Sequence, residues 1–204
     1  KSRGLETSTW LDGAELEVDL NQRLATIPVA AALGAQLVLV AFDEAHDWLP
    51  LCRPQARATL AARPDSTGYL RAAELFSKHP VEALRAKHLA ATTFAAISEE
   101  CKRSNLSLCV VRFPSPLAVD AAAPWQRRDD RAQSHGLDRT ACRAPRDASR
   151  ELVSRLRAEQ IEVLDLEPVL QALPFGGFDR DGQLSDYAQS LIAGLLALRM
   201  SQSE

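Results

Sequence analysis

Three short segments rich in apolar and β-branched residues divide the chain. They lie at Leu37–Phe42, Leu106–Val111 and Ile161–Leu166, far apart in the sequence. Segments of this kind are typical of strands that are buried on both faces, as in a parallel sheet. The pattern therefore predicts three central strands, each separated from the next by enough chain to form a helix.

Between the strands, apolar residues recur every three or four positions, which predicts amphipathic helices. We expect Gly34 to end the first helix and the hydroxyl of Ser185 to cap the last one. The inward faces of the helices are expected to include Leu84 and Tyr187. The predicted helices are Gly13–Leu33, Val81–Arg103, Ala148–Gln160, Glu167–Leu173 and Ser185–Met200.

The alternation of strands and helices favours an α/β fold, a three-layer α/β/α sandwich whose parallel sheet carries helices on both faces. The 204 residues suit a single domain over 1–204, with loop excursions at 43–79 and 114–147. Three strands make a thin sheet for this length, because a parallel sheet needs enough width to bury its helices. We therefore expect a further, first strand that is weak in sequence, lies upstream of Lys1 or comes from another chain.

Composition and net charge bear on whether the chain binds nucleic acid or a membrane. The chain is 46% hydrophobic and 25% charged, with a net charge of −3, which does not indicate binding to nucleic acid or to an anionic membrane surface. No apolar run approaches the roughly 18–20 residues of a membrane-spanning helix. The chain opens at Lys1 without a Met, as processed or truncated chains do. Membrane association is therefore expected only through partners or through a lost N-terminal segment.

The four cysteines show no C-x-x-C spacing, so a zinc or redox site is not indicated. Cys52 and Cys142 lie in loop-like stretches, which leaves a disulfide open in an oxidising compartment. Gly176-Gly177 is too short to cradle a phosphate and lacks the lysine of a P-loop. No cofactor is expected.

A dense polar cluster follows the first predicted strand. Its carboxylates and imidazole are ligand types that divalent metals accept, so a metal site is one hypothesis. The other is a polar loop that caps the start of a helix. Trp48, just beyond the cluster, and Trp125 either line a sugar-binding groove, anchor a partner or pack against the sheet edge. The cluster consists of Asp43, Glu44, His46 and Asp47.

Three blocks in order carry a family resemblance. Asp43–Trp48 follows the first strand, Ile161–Leu170 ends in an Asp-Leu-x-Pro turn, and Asp181–Ser185 opens the last helix as Asp-Gly-Gln-Leu-Ser. Over roughly Trp10–Met200 this order resembles the SGNH (GDSL-like) hydrolases, a family of esterases and acetyl-hydrolases. The resemblance implies a flavodoxin-like three-layer fold and an extracytoplasmic, periplasmic-type location, as for many relatives.

The residues that carry the family's chemistry are incomplete. A Ser nucleophile, a His base and an Asp are required, and a Gly amide and an Asn side chain form the oxyanion hole. No Gly-Asp-Ser occurs in the chain. Asp181 matches the family's triad Asp, but Gln183 stands at the position of its His, and an amide cannot act as a general base. Gly13 matches the oxyanion Gly weakly, and His46 falls where the family has its Asn.

Two hypotheses follow. The preferred one is a non-catalytic SGNH-hydrolase-like domain that acts as a structural or binding subunit of a larger, membrane-associated assembly, with other protein subunits as partners. The alternative is an SGNH-type esterase whose Ser lies upstream of Lys1 and whose base is relocated, with His46 as the best candidate.

Overall fold

A computed structural model describes residues 20–62, 67–119, 132–173, 176–179 and 183–201. Its sheet has three parallel strands in the order β1 (Leu37–Asp43), β2 (Ser107–Phe113) and β3 (Glu162–Asp165). The three predicted strands are confirmed, each within two residues of its predicted ends. The predicted α/β class with a parallel sheet is confirmed as well.

Helices lie before, between and after the strands. Gly34 has a φ of +79° and ends the first helix, as predicted, and Asn105 at +56° ends the long fourth one. The hydroxyl of Ser185 accepts a hydrogen bond from the Ala188 amide at 3.3 Å, which confirms the predicted cap of the last helix. The helices are α1 (Leu20–Ala32), α2 (Pro54–Ala61), α3 (Gly68–Lys78), α4 (Pro80–Arg103), α5 (Pro116–Val119), α6 (Arg139–Ala158), α7 (Glu167–Gln171) and α8 (Asp186–Ser201).

The two predicted loop excursions are more helical than expected. The first, 43–79, contains α2 and α3, and α3 buries Leu75 completely in the main core. In the second, 114–147, α6 begins at Arg139 instead of Ala148. Asp138 explains the earlier start, because its carboxylate accepts a hydrogen bond from the Ala141 amide at 2.7 Å and caps the helix.

Both faces of the sheet are covered, which gives the three layers. On one face Phe42 of β1 packs with Phe94 of α4 and Leu156 of α6 in the main core. On the other face Val111 of β2 packs with Ile192 of α8 in a smaller core. A small parallel sheet between two helical layers fits the flavodoxin-like architecture.

Two predicted inward residues face solvent. Leu84 is 67% exposed because α4 buries a stripe of mostly small residues that runs through Ala83, Ala86 and Ala90 and leaves Leu84 to one side. Tyr187 is 55% exposed because the buried face of α8 is the one that holds its neighbour Ala188.

The four cysteines are all buried, and none of them forms a disulfide. Burial is the main cause that raises the pKa of the Cys52 thiol to about 11, so this thiol stays protonated near neutral pH. Cys52 and Cys142 therefore do not form the disulfide that the sequence left open; both are buried packing residues.

Candidate functional site at the carboxyl edge of the sheet

The carboxyl ends of the three strands meet at one edge of the sheet, where α/β proteins usually bind ligands. Glu44 directly follows β1, Arg112 lies next to the last residue of β2, and Asp165 ends β3. The start of α8 lies toward this edge, because Arg199 near its far end pairs with Glu162 at the amino end of β3. The edge therefore collects the polar ends of all three strands.

Arg112 links the three strand ends. Its side chain is only 1% exposed, and its guanidinium donates from Nη2 to Glu44 Oε2 at 2.5 Å. From Nη1 it donates to Asp165 Oδ1 at 3.0 Å and to Glu167 Oε2 at 2.7 Å. The planar donor set of an arginine suits this kind of multiple carboxylate recognition. One cation thus joins β1, β2 and the loop after β3.

Glu167 is the second centre of the network. It is 1% exposed and accepts from Arg146 Nε at 2.7 Å, from Arg150 Nη2 at 2.8 Å and from Gln171 Nε2 at 3.1 Å. Arg146 and Arg150 lie one turn apart on α6, so one helix face delivers both. Three arginines balance three carboxylates here, and we call this set the inner ion network: Arg112, Arg146, Arg150, Glu44, Asp165 and Glu167.

The two buried glutamates of the inner ion network differ in their pKa. Burial raises the pKa of Glu44, and the hydrogen bonds from Arg112 and from Ser115 Oγ, at 2.8 Å, offset only part of that rise. Burial also acts to raise the pKa of Glu167, but the hydrogen bonds from its arginines outweigh it and hold that pKa below its ordinary value. Glu167 is therefore the firmly ionised member.

A second group, the outer cluster, lies at the corner where β1 ends. Asp43 Oδ2 contacts His46 Nδ1 at 3.0 Å, and its Oδ1 accepts from the Ala45 amide at 2.7 Å. Asp47 accepts from the Asp43 amide at 2.8 Å and pairs with Arg23 of α1 at 3.5 Å. These bonds hold the turn rigidly. The outer cluster consists of Arg23, Asp43, His46 and Asp47.

His46 is the most exposed titratable group of the outer cluster, with 68% of its side chain accessible. The hydrogen bond that the ring donates to Asp43 is the main cause that raises the pKa of His46. The other ring nitrogen, Nε2, lies against the first residue of α3. A Cβ placed on Gly68 would come within 2.4 Å of Nε2, so only a glycine fits beside the imidazole in this position.

The structure separates the four candidate metal ligands. Glu44 turns into the interior toward Arg112, whereas Asp43, His46 and Asp47 stay in the outer cluster. In the described parts of the chain, no group of three His, Cys, Asp or Glu side chains is arranged to hold a metal ion. The hydrogen bonds to the Asp43 and Ala45 amides close a turn, and no side chain of this segment caps the helices that follow it.

The described residues on either side of the block that precedes α8 bond to one another. The Gln183 amide donates to Asp179 Oδ1 at 2.9 Å, and an antiparallel bridge joins Phe178 to Leu184. Gln183 is exposed. Asp181 and Gly13, the other two positions that the family resemblance singles out, lie outside the described residues.

Trp48 is completely buried. Its ring meets Phe42 edge-on at 5.0 Å and Phe76 at 5.3 Å between ring centroids. It also lies under a shallow groove between α4 and α6, which Lys87 and Glu151 border. Of its three interpretations, packing against the end of the sheet is the one that these contacts support; Trp125 lies outside the described residues.

Sequence reasoning missed the arginines of the inner ion network. Arg112 is a single charge between Val111 and Phe113, and a lone cation inside an apolar strand is a signal for a buried pair. The predicted loop 114–147 ends just after Arg146, and Arg150 lies in the predicted helix Ala148–Gln160, so the two arginines fall in different predicted elements. Their position one turn apart becomes meaningful only once α6 is known to begin at Arg139.

Fold and site together define an α/β protein with a small parallel sheet whose carboxyl edge holds a buried ion network. Comparisons with family models, with curated proteins and with solved structures find no match for this chain. Among the described residues, no helix is long and apolar enough to cross a membrane.

Proposed function

We propose that this chain is a non-catalytic, SGNH-hydrolase-like domain that serves as a structural or binding subunit of a larger, membrane-associated assembly on the extracytoplasmic side. The observation that carries the proposal is the inner ion network. It fills the carboxyl edge of the sheet with side chains that bond to one another, at the place where a related hydrolase would hold its reacting groups.

The hydrogen bonds at this edge leave the Glu167 carboxylate and the Ser115 hydroxyl poorly suited to act as a general base or a nucleophile. A general base needs a free lone pair within reach of the substrate, and a nucleophile needs access to it. Glu167 accepts from three arginines, and Ser115, which is 4% exposed, donates its hydroxyl to Glu44. Gln183 adds no base, because an amide does not take up a proton near neutral pH.

The exposed apolar side chains favour a role in an assembly. Val29 of α1 is 58% exposed, Leu33, which directly follows α1, is 82% exposed, and Leu39 of β1 is 36% exposed. Val29 and Leu33 lie close together in the chain at the end of α1, whereas Leu39 points to the face of β1 away from α1, because Val38 and Val40 face the core that α1 joins. Grouped exposed apolar residues are typical of protein interaction surfaces.

An ester hydrolysis assay tests the proposal. With p-nitrophenyl acetate and the full-length gene product, we expect a rate equal to that of buffer, and equal rates for Ser115→Ala and His46→Ala. A serine esterase assayed alongside shows that the conditions support turnover. Turnover above buffer that disappears in either variant would overturn the non-catalytic assignment.

The contact between Asp43 and His46 favours a second candidate, an SGNH-type esterase with His46 as the relocated base. An aspartate that holds Nδ1 of an imidazole fixes the tautomer that a general base requires. This candidate predicts that His46→Ala abolishes turnover, whereas His88→Ala, which removes an exposed histidine of α4, leaves it unchanged. Equal loss in both variants would contradict a specific role for His46.

A further inference from the structure

We draw no further inference here: the strongest candidate, the shallow groove between α4 and α6 above Trp48, carries none, because Lys87 and Glu151 bond to each other across it, the indole N–H of Trp48 is buried beneath it, and nothing in the structure shows which ligand it would hold.

Discussion

Glu44 and its neighbours Asp43 and His46 leave the same strand end in opposite directions and reach two different environments. Glu44 enters the inner ion network, whose central charges Glu44, Arg112 and Glu167 are buried and bonded to opposite charges. Asp43 and His46 enter the outer cluster, where the imidazole is mostly exposed and has one charged hydrogen-bond partner. Burial with complete pairing makes the inner ion network a structural element, whereas the outer cluster keeps a titratable group in contact with solvent.

The comparison predicts that the same kind of substitution has very different effects in the two regions. A buried ion pair adds little net stability over an apolar replacement of the whole pair, but removing one partner leaves an uncompensated charge. Exposed ion pairs contribute between zero and about 1 kcal/mol. The inner ion network should therefore respond strongly to single changes and the outer cluster weakly.

Removal of Arg112 should have the largest effect. Arg112→Met keeps the volume but leaves Glu44 and Glu167 buried without their shared cation, and we expect a loss of about 3–5 kcal/mol in the free energy of unfolding. Urea denaturation followed by circular dichroism measures it. Arg155→Met is the control, because Arg155 pairs with Glu159 at the surface. A loss below about 1 kcal/mol for Arg112→Met would mean that the network is not a structural element.

The next largest loss of stability should distinguish the two glutamates of the inner ion network. Glu167→Gln leaves Arg146 and Arg150 without their carboxylate and takes one of three from Arg112, so it should cost about 2–3 kcal/mol. Glu44→Gln should cost less, because burial raises the pKa of Glu44 and so disfavours its charged form. Urea titrations of both variants at neutral pH test the order. An equal or larger cost for Glu44→Gln would contradict it.

The pH dependence of stability should separate the same two residues by sign. The pKa of Glu167 is lowered in the folded state, so its stabilising contribution is present above the unfolded value of about 4.3 and is lost as the pH falls through the folded pKa. The pKa of Glu44 is raised, so stability falls as the pH rises from about 4.3 through its folded pKa. Glu167→Gln should remove the first slope and Glu44→Gln the second, in urea titrations across the acidic range.

The sequence predicted the sheet well because the strand signal is local. Leu37–Phe42 and Leu106–Val111 are apolar over their whole length, and burial on both faces needs no long-range information. Ser185 was likewise recognisable as a cap from its position before an apolar stripe. The prediction and the structure agree where the signal lies in the local sequence.

The candidate site depended on contacts that no local pattern reveals. Arg112 and Glu167 are 55 positions apart, and Arg112 and Glu44 are 68 apart. Only the parallel alignment of β1 and β2, which places Asp43 beside Phe113, brings Glu44 to Arg112. The sequence therefore shows that the segment Asp43–Asp47 is rich in ionisable side chains, but it does not show the direction in which each side chain points.

Gly68 offers a smaller test at the boundary of the two regions. An alanine in the first turn of a helix ordinarily stabilises it by about 0.5–1 kcal/mol relative to glycine. At Gly68 the added methyl would collide with the imidazole of His46 and lie 3.1 Å from the Ala45 carbonyl, so we expect Gly68→Ala to destabilise by about 1 kcal/mol. Thermal unfolding measures the change. Gly194→Ala is the control, since a Cβ there meets nothing within 4 Å; a stabilised Gly68→Ala protein would show that His46 moves aside freely.

The smallest expected effect on stability is also the most direct test of the outer cluster. Asp43→Asn removes the charge that raises the pKa of His46, so this pKa should fall toward the ordinary value of about 6.5. The raised pKa means that the Asp43–His46 pair stabilises the fold fully below the unfolded value and that this contribution disappears as the pH rises through the folded one. Because the imidazole is mostly exposed, the change in stability should stay well below 1 kcal/mol.

The His46 ring signals in a pH titration by nuclear magnetic resonance report the pKa, with His88 as the internal reference. An unchanged His46 pKa in the variant would show that Asp43 does not control the ring, and the outer cluster would then lose the feature that favours it as a relocated base.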